Sequence, residues 1–337
     1  MENLLFSINA TLPIFLLMVL GYIFNKIGLI DEKAAGWMNK FVFKVALPLL
    51  VFEDLAEQDF AGSWDGKFVL YCMFATIASI AIITVFAKLV VKNPSRRGEF
   101  IQGSYRSSAA LLGLAFIHNI YGTASTGMAP LMILGSVPIY NIFAVIILTL
   151  TAPKGADDTV SEASDKGELA DKDSRVNDRS SLIKSTIVGI ITNPIILGIF
   201  IGMIWSLLKI PQIKIFKEVV TDLGKMATPL GLMSMGATFD HKKALGDIKP
   251  AIAASIIKLF LLVAIFMPIA ILLGFSGEHV VALLVMLGSA TTVSSFIMAK
   301  SMGHEGTLSS SIIMMTTFGC SFSLTFWLFV LKSFGII

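Results

Sequence analysis

Two stretches of this chain gather hydroxyl groups inside otherwise apolar sequence: QGSYRSSAALLGLA at 102–115 and GSATTVSSFIMAK at 288–300. Ser107, Ser108, Thr291, Thr292, Ser294 and Ser295 are the side chains there that could line a cavity for a polar ligand. Hydroxyls together with the free N–H groups at helix starts suit a carboxylate. Small residues also let helices pack closely, so packing alone accounts for many of them. A shift of 181 residues lays Ser108 on Ser289 (289 − 108 = 181) and Ala109 on Ala290, which puts both stretches at matched places.

Enzyme chemistry finds little support. There is no G-x-S-x-G, no H-E-x-x-H, no phosphate-binding P-loop and no G-x-G-x-x-G, so nucleophilic, metalloprotease and nucleotide-driven classes are disfavoured. Cys72 and Cys320 lie in apolar runs and read as small buried hydrophobes. His241, His279 and His304 fall in loops without ligand spacing, so neither a metal nor a cofactor is expected. No acidic pair sits at mid-span; Glu53, Asp54 and Asp222 lie near span ends, with Asp222 one turn from Lys225. A cation exchanger with buried carboxylates is therefore disfavoured.

The elements that would position the hydroxyls are membrane helices. Of 337 residues, 55% are hydrophobic and 15% charged, too little charge to clothe a water-exposed surface. The net charge of +3 and the lack of a basic stripe argue against nucleic acid. Apolar runs long enough to cross a bilayer predict ten spans, near 6–27, 37–55, 67–91, 101–119, 127–150, 182–207, 214–238, 250–274, 279–300 and 308–333. The first lacks a basic n-region and a cleavage site, so it reads as a retained span. Between the fifth and sixth lies the hydrophilic linker 152–181. It divides a first five-helix repeat, 1–151, from a second, 182–337. Lys and Arg concentrate in alternate loops, Arg106 counted among the residues flanking one of them, while Lys209, Lys214 and Lys217 dissent. The balance predicts a cytoplasmic linker and both termini outside the cell membrane.

K-x-A-x-P-L occurs twice, at 44–49 and 225–230, and its prolines are 229 − 48 = 181 residues apart. The same shift lays Pro13 on Pro194, Gly21 on Gly202 and Lys44 on Lys225. Each half holds an odd number of spans, so the second must enter from the opposite side. The expectation is an all-α polytopic membrane protein built as two inverted five-helix repeats. Pro48 and Pro229 are expected to break paired helices. Two roles fit Lys44 and Lys225: each snorkels to its own interface, or each sits in a cavity mouth and attracts an anion.

LGYIFNKIGLID (20–31), NKFVFKVALPLLVF (39–52), VPIYNIFAVIIL (137–148), ATPLGLMSMGATF (227–239) and TVSSFIMAK (292–300) together resemble the auxin efflux carrier family, which includes bacterial malate permeases. The resemblance runs over nearly the whole chain. It implies ten helices with broken segments crossing at midplane, like sodium/proton antiporters and bile-acid transporters, and it implies organic-anion substrates and a homodimer. In the family's fourth-span pattern N-x-G-x-x-G-x-P, this chain has Ser108, Ala110, Gly113 and Ala115, so one glycine, Gly113, remains; in the ninth span Ala290 stands where the crossing proline is expected. Tyr140 and Asn141 fit the family pattern and are candidate cavity residues.

The function these observations imply is secondary transport of a small organic anion, such as malate or an auxin-like carboxylate, by alternating access, with a proton or sodium ion as possible coupling partner. The alternatives are a channel-like conduit and a membrane sensor or scaffold signalling through 152–181.

Overall fold

The computed structural model describes residues 2–56, 64–109, 117, 120–121, 127–153 and 192–337, with the side chains of 2–11, 14, 15, 241, 243 and 245 outside it. Gly113 and most of the 152–181 linker lie outside the described residues. Those described form helices and connecting turns, with no strand.

The helix α1 covers Glu2–Lys26. Next come α2, Glu32–Phe41, and α3, Leu47–Ala56, joined without leaving the helix by a π-helical turn at Val42–Ala46. Asp31 starts α2 by accepting the Ala34 N–H, so the helix begins five residues before the start expected from hydropathy. Cap chemistry sets that start, whereas apolarity marks only the part inside lipid. Then follow α4, Gly66–Val90, capped by Asp65, and α5, Pro94–Tyr105, capped by Asn93 with Pro94 in its first turn. Helix α6 is Met128–Thr151.

In the second half, α7 is Pro194–Leu207, α8 Lys214–Lys225, α9 Ala227–Ala237 and α10 the short His241–Gly246. Helices α11, Ile248–Ile256, and α12, Leu262–Leu272, are again joined by a π-helical turn, Ile257–Leu261. Last come α13, Glu278–Gly288, α14, Ser294–Ser301, and α15, Thr307–Ser333. Five stretches among the described residues are long and apolar enough to cross a membrane: Glu32–Ala56, Gly66–Val90, Met128–Thr151, Ile248–Leu272 and Thr307–Ser333.

The two prolines of the repeated hexapeptide behave differently. Pro48 does not break its helix. It follows the Val42–Ala46 π turn, where Leu47 N–H donates to Val42 O, and such a widened turn relieves the clash of a proline ring with the preceding carbonyls. Pro229 lies in the first turn of α9, where its missing N–H costs nothing; the interruption itself is at Met226, between α8 and α9.

Close helix packing surrounds both. A Cβ on Gly21 of α1 would lie 2.3 Å from Met233 O of α9, and one on Gly202 of α7 would lie 2.8 Å from Phe52 O of α3. Only glycine lets those backbones approach so far. The two contacts are related by the shift seen in sequence, since 202 − 21 = 181 and 233 − 52 = 181.

A candidate anion site at a crossing of two broken helices

Helix α5 stops in the protein interior: Arg106 is extended, with φ −71 and ψ 131. Helix α13 also stops inside, at an extended Ser289, and the chain stays unwound until α14 begins at Ser294. The two unwound segments touch through their backbones, Ser108 N–H donating to Ala290 O at 3.0 Å. Side chains tie the crossing on both sides. Thr291 Oγ1 donates to Gly103 O at 2.7 Å, Gln102 Nε2 donates to Ser295 O at 2.8 Å, and Ser107 Oγ donates to Met286 O. Exposed backbone groups at this depth would be costly in lipid, so the crossing supplies partners from its own chain.

Beside the crossing lies a cavity of about 80 Å³. Its polar lining is Arg106, Ser107, Ser108, Tyr140, Asn141, Thr292 and Ser294, with Thr228 and Asp54 further along; Leu47, Leu50, Val51, Val137, Ile195, Val293 and Ile297 make the apolar wall. Beyond Leu47, toward the start of the same helical stretch, Asn39 Nδ2 donates to Ser301 Oγ at 3.0 Å and joins α2 to α14.

Six residues singled out in the sequence thus share one cavity: Ser107, Ser108, Tyr140, Asn141, Thr292 and Ser294. Thr291 and Ser295 are buried outside its lining; Thr291 serves the crossing instead. Pro48 and Pro229 do not line it. Neither do Lys44 and Lys225, which are exposed on the helix surface rather than placed in a cavity mouth. At their positions the long side chains can reach the surface. Asp222 and Lys225, both exposed, form no ion pair.

The charge of the site comes from two residues the sequence reading did not place there. Arg106, counted as a loop flank, is 3% exposed and belongs to the cavity wall. Its Nη2 donates to Asn141 Oδ1 at 2.9 Å and Ser294 Oγ at 2.8 Å, its Nη1 reaches Met298 Sδ at 2.7 Å, and its Nε has no partner. Lys258, in the π turn between α11 and α12, is fully buried. Its Nζ donates to Ser107 Oγ at 2.7 Å, Leu287 O at 3.0 Å, Met286 O at 3.2 Å and Tyr105 O at 3.3 Å. Those carbonyls belong to the last residues of α5 and α13, the negative ends of two helices. Neither cation bonds a carboxylate among the described residues. The sequence signal was a lone lysine in an apolar span, which points to function by default.

Carboxylates instead fasten the helix ends around the crossing. Buried Glu99 accepts the N–H groups of Gly306 and Ser309 at the start of α15, and Glu278 accepts Met128 N–H at the start of α6. At the α4 start the Phe68 N–H holds the Asp65 carboxyl below its usual range, and His279, 3.2 Å away, adds to this. At the α11 start burial raises the Asp247 carboxyl and the Arg96 partner opposes that.

A family model described as "Membrane transport protein" matches residues 6–328. An uncharacterized transporter of Methanothermobacter thermautotrophicus is 21% identical over 326 residues, covering 96% of this chain and 98% of its own. A protein of Rhizobium meliloti provisionally named a malonate transporter is 24% identical over 331 residues, covering 96% of each chain. Among solved structures, a sodium proton antiporter from Methanocaldococcus jannaschii superposes with a TM-score of 0.59 over 97% of each chain, at 13% identity.

Proposed function

Since the chain belongs to the membrane transport protein family, the auxin efflux carriers that its sequence resembles, and is a membrane-spanning transporter rather than an enzyme, we infer that it carries a small organic anion across the cell membrane by alternating access. The observation that carries this reading is the cavity at the helix crossing, walled by a buried guanidinium that bonds no carboxylate among the described residues. An arginine cannot shed its charge, so an empty site keeps an unpaired cation away from water, and an entering carboxylate offsets it. Ser107, Ser108, Thr292 and Ser294 add hydroxyls, and Asn141 holds the guanidinium in place.

Cavity size narrows the substrate. About 80 Å³ is roughly half of the 150 Å³ that accommodates benzene in an engineered protein cavity. It suits an acid of a few carbons, such as malate or malonate, better than an aromatic auxin. The Rhizobium relative's name agrees with that class.

Ten spans in two inverted repeats, 1–151 and 182–337, with a cytoplasmic 152–181 linker and both termini outside, complete the reading. Its support is the pair of glycine contacts related by 181 residues and the crossing itself, where Ser108 meets Ala290. Alternating access then requires α2 and α14 to part where Asn39 bonds Ser301, opening the far end of the cavity.

The test is counterflow in proteoliposomes loaded with unlabelled acid. Saturable exchange of radiolabelled malate or malonate, in preference to indole acetate, is expected. Flux that does not saturate and shows no exchange would mean a conduit, and no flux of any acid would overturn the reading.

A further inference from the structure

The anion-carrier reading leaves open what drives the anion, and Lys258 bears on it. Three backbone carbonyls, of Tyr105, Met286 and Leu287, converge where α5 and α13 end. Such a cluster is the natural place in this fold for a small metal cation, because two negative helix ends meet there. The lysine ammonium already occupies it. A sodium ion would have to compete with a covalently attached cation for the same oxygens, so the coupling ion at this centre is carried by the lysine itself.

Two buried cations, neither bonded to a carboxylate among the described residues, are costly together when the cavity is empty. Arg106 keeps its proton in all states, whereas a buried lysine gives its proton up readily. The surroundings satisfy both forms of Lys258. As an ammonium it donates to carbonyls and to Ser107 Oγ, and Ser107 passes its own hydrogen to Met286 O. As an amine it keeps two N–H donors for the carbonyls, and its lone pair accepts the Ser107 hydroxyl instead.

Ser107 also lines the anion cavity, so its hydroxyl joins the two sites. With Lys258 charged, the hydroxyl is free of the amine and can turn to a carboxylate in the cavity. With Lys258 neutral, the hydroxyl is held by Nζ and turns its lone pairs toward the cavity, while the carbonyl ends of α5 and α13 go uncompensated. Both changes repel an anion. The other titratable groups facing this centre are Tyr105 and Arg106 at the end of α5, Tyr140 on α6 and Cys320 on α15. None of them is a carboxylate or an imidazole.

We propose that Lys258 takes up one proton together with each anion and releases it with the anion on the other side, so that the carrier is a proton–anion symporter. The balance is simple. One N–H bond forms with a proton from water on the loading side, and the same bond breaks on the unloading side. No other bond changes.

This rests on the anion-carrier reading, and one experiment separates the two. The full chain is reconstituted in liposomes holding a pH-sensitive dye, and lumenal acidification is measured per radiolabelled malonate or malate imported. Wild type is expected to move about one proton per anion, to accumulate the anion under an inward proton gradient, and to ignore a sodium gradient. In Lys258→Arg, permanently charged, and Lys258→Gln, permanently neutral, the proton-to-anion ratio should fall at least tenfold, whatever absolute rate remains. Wild-type net import of the anion without proton movement, or an unchanged ratio in either variant, would overturn the proposal and leave the anion carrier standing. If wild type exchanges no carboxylate, both fail.

Discussion

Replacing Arg106 by glutamine separates the binding role of this side chain from its structural one. The guanidinium makes two good hydrogen bonds, to Asn141 and Ser294, and leaves Nε unpartnered. Removing it leaves those acceptors short of a donor, a loss of about 1–3 kcal/mol for each group left unsatisfied. It also removes a buried charge without a counter-ion, whose burial costs several kcal/mol. These oppose each other, and the glutamine amide can replace one of the lost bonds. The stability of the empty protein should therefore change by no more than about 2 kcal/mol.

Anion binding should change far more. A hydrogen bond to a charged group contributes about 1.5–3 kcal/mol, so losing it raises the half-saturation concentration roughly 10- to 150-fold. The assay is thermal unfolding in detergent, with and without malonate or malate, alongside counterflow. A ligand at one hundred times its Kd stabilises the wild type by about 2.7 kcal/mol. At the same concentration Arg106→Gln should show about 0.3–1.4 kcal/mol, half of the wild-type gain or less. A variant that melts near the wild-type temperature and still gains the full ligand-dependent shift would refute Arg106 as the anion's anchor. Lys at 106 should not rescue, because one ammonium cannot hold Asn141 and Ser294 and still offer a fork to a carboxylate.

Other substitutions test the frame. Gly21→Ala puts a methyl 2.3 Å from Met233 O and should destabilise by about 1–3 kcal/mol; Gly36→Ala in α2, with nothing within 4 Å, should stabilise by about 0.5–1 kcal/mol, and thermal melts compare the two. Glu99→Gln keeps the shape but leaves one acceptor oxygen for two N–H groups at the α15 start, with an NH2 facing the other, and should lower stability by about 1–3 kcal/mol in the same melts. Asp65 is held below its ordinary value in the folded protein, so its contribution is present above the unfolded value near 3.9 and lost as pH falls through the folded one. Asp65→Asn should therefore flatten the acid limb of stability below about pH 4, and any pH response of transport between about 5 and 8 should survive that change.

The helices were legible because lipid imposes one rule on every span: apolar runs must be helical. Local cap chemistry at Asp31, Asp65 and Asn93 moved the ends. The cavity was legible as two hydroxyl-rich, small-residue stretches at matched places, and six of their residues and neighbours do meet in it, while the crossing was implied only by the family resemblance. The two cations were not, for opposite reasons. Arg106 follows a polar run close to a basic loop, and counting loop charge absorbs it; nothing local says that α5 is interrupted after one more residue than Ser104 and turns its arginine inward. Lys258 sits in the most apolar of the five long spans, where averaging over a window hides a single charge. Pro48 misled in another way, because a helix can meet a proline by widening one turn instead of breaking, and no feature of KVALPL distinguishes the two responses.

These two cations together set the sign of the site. Each helix end facing the crossing carries about half a negative charge, by the alignment of its peptide dipoles. With α5 and α13 ending side by side, the bare crossing would attract cations. The ammonium of Lys258, set among Tyr105 O, Met286 O and Leu287 O, offsets both ends. What remains at the crossing is the guanidinium of Arg106 against a hydroxyl-lined wall, a positive spot, with the Asp54 carboxyl further along the same cavity. Removing the lysine proton restores the helix-end field and brings the sum back toward zero. A sodium proton antiporter is among the solved structures of similar fold; in this chain one buried lysine and one buried arginine give the crossing its positive charge, and under the proposed symport the lysine ties anion binding to a proton.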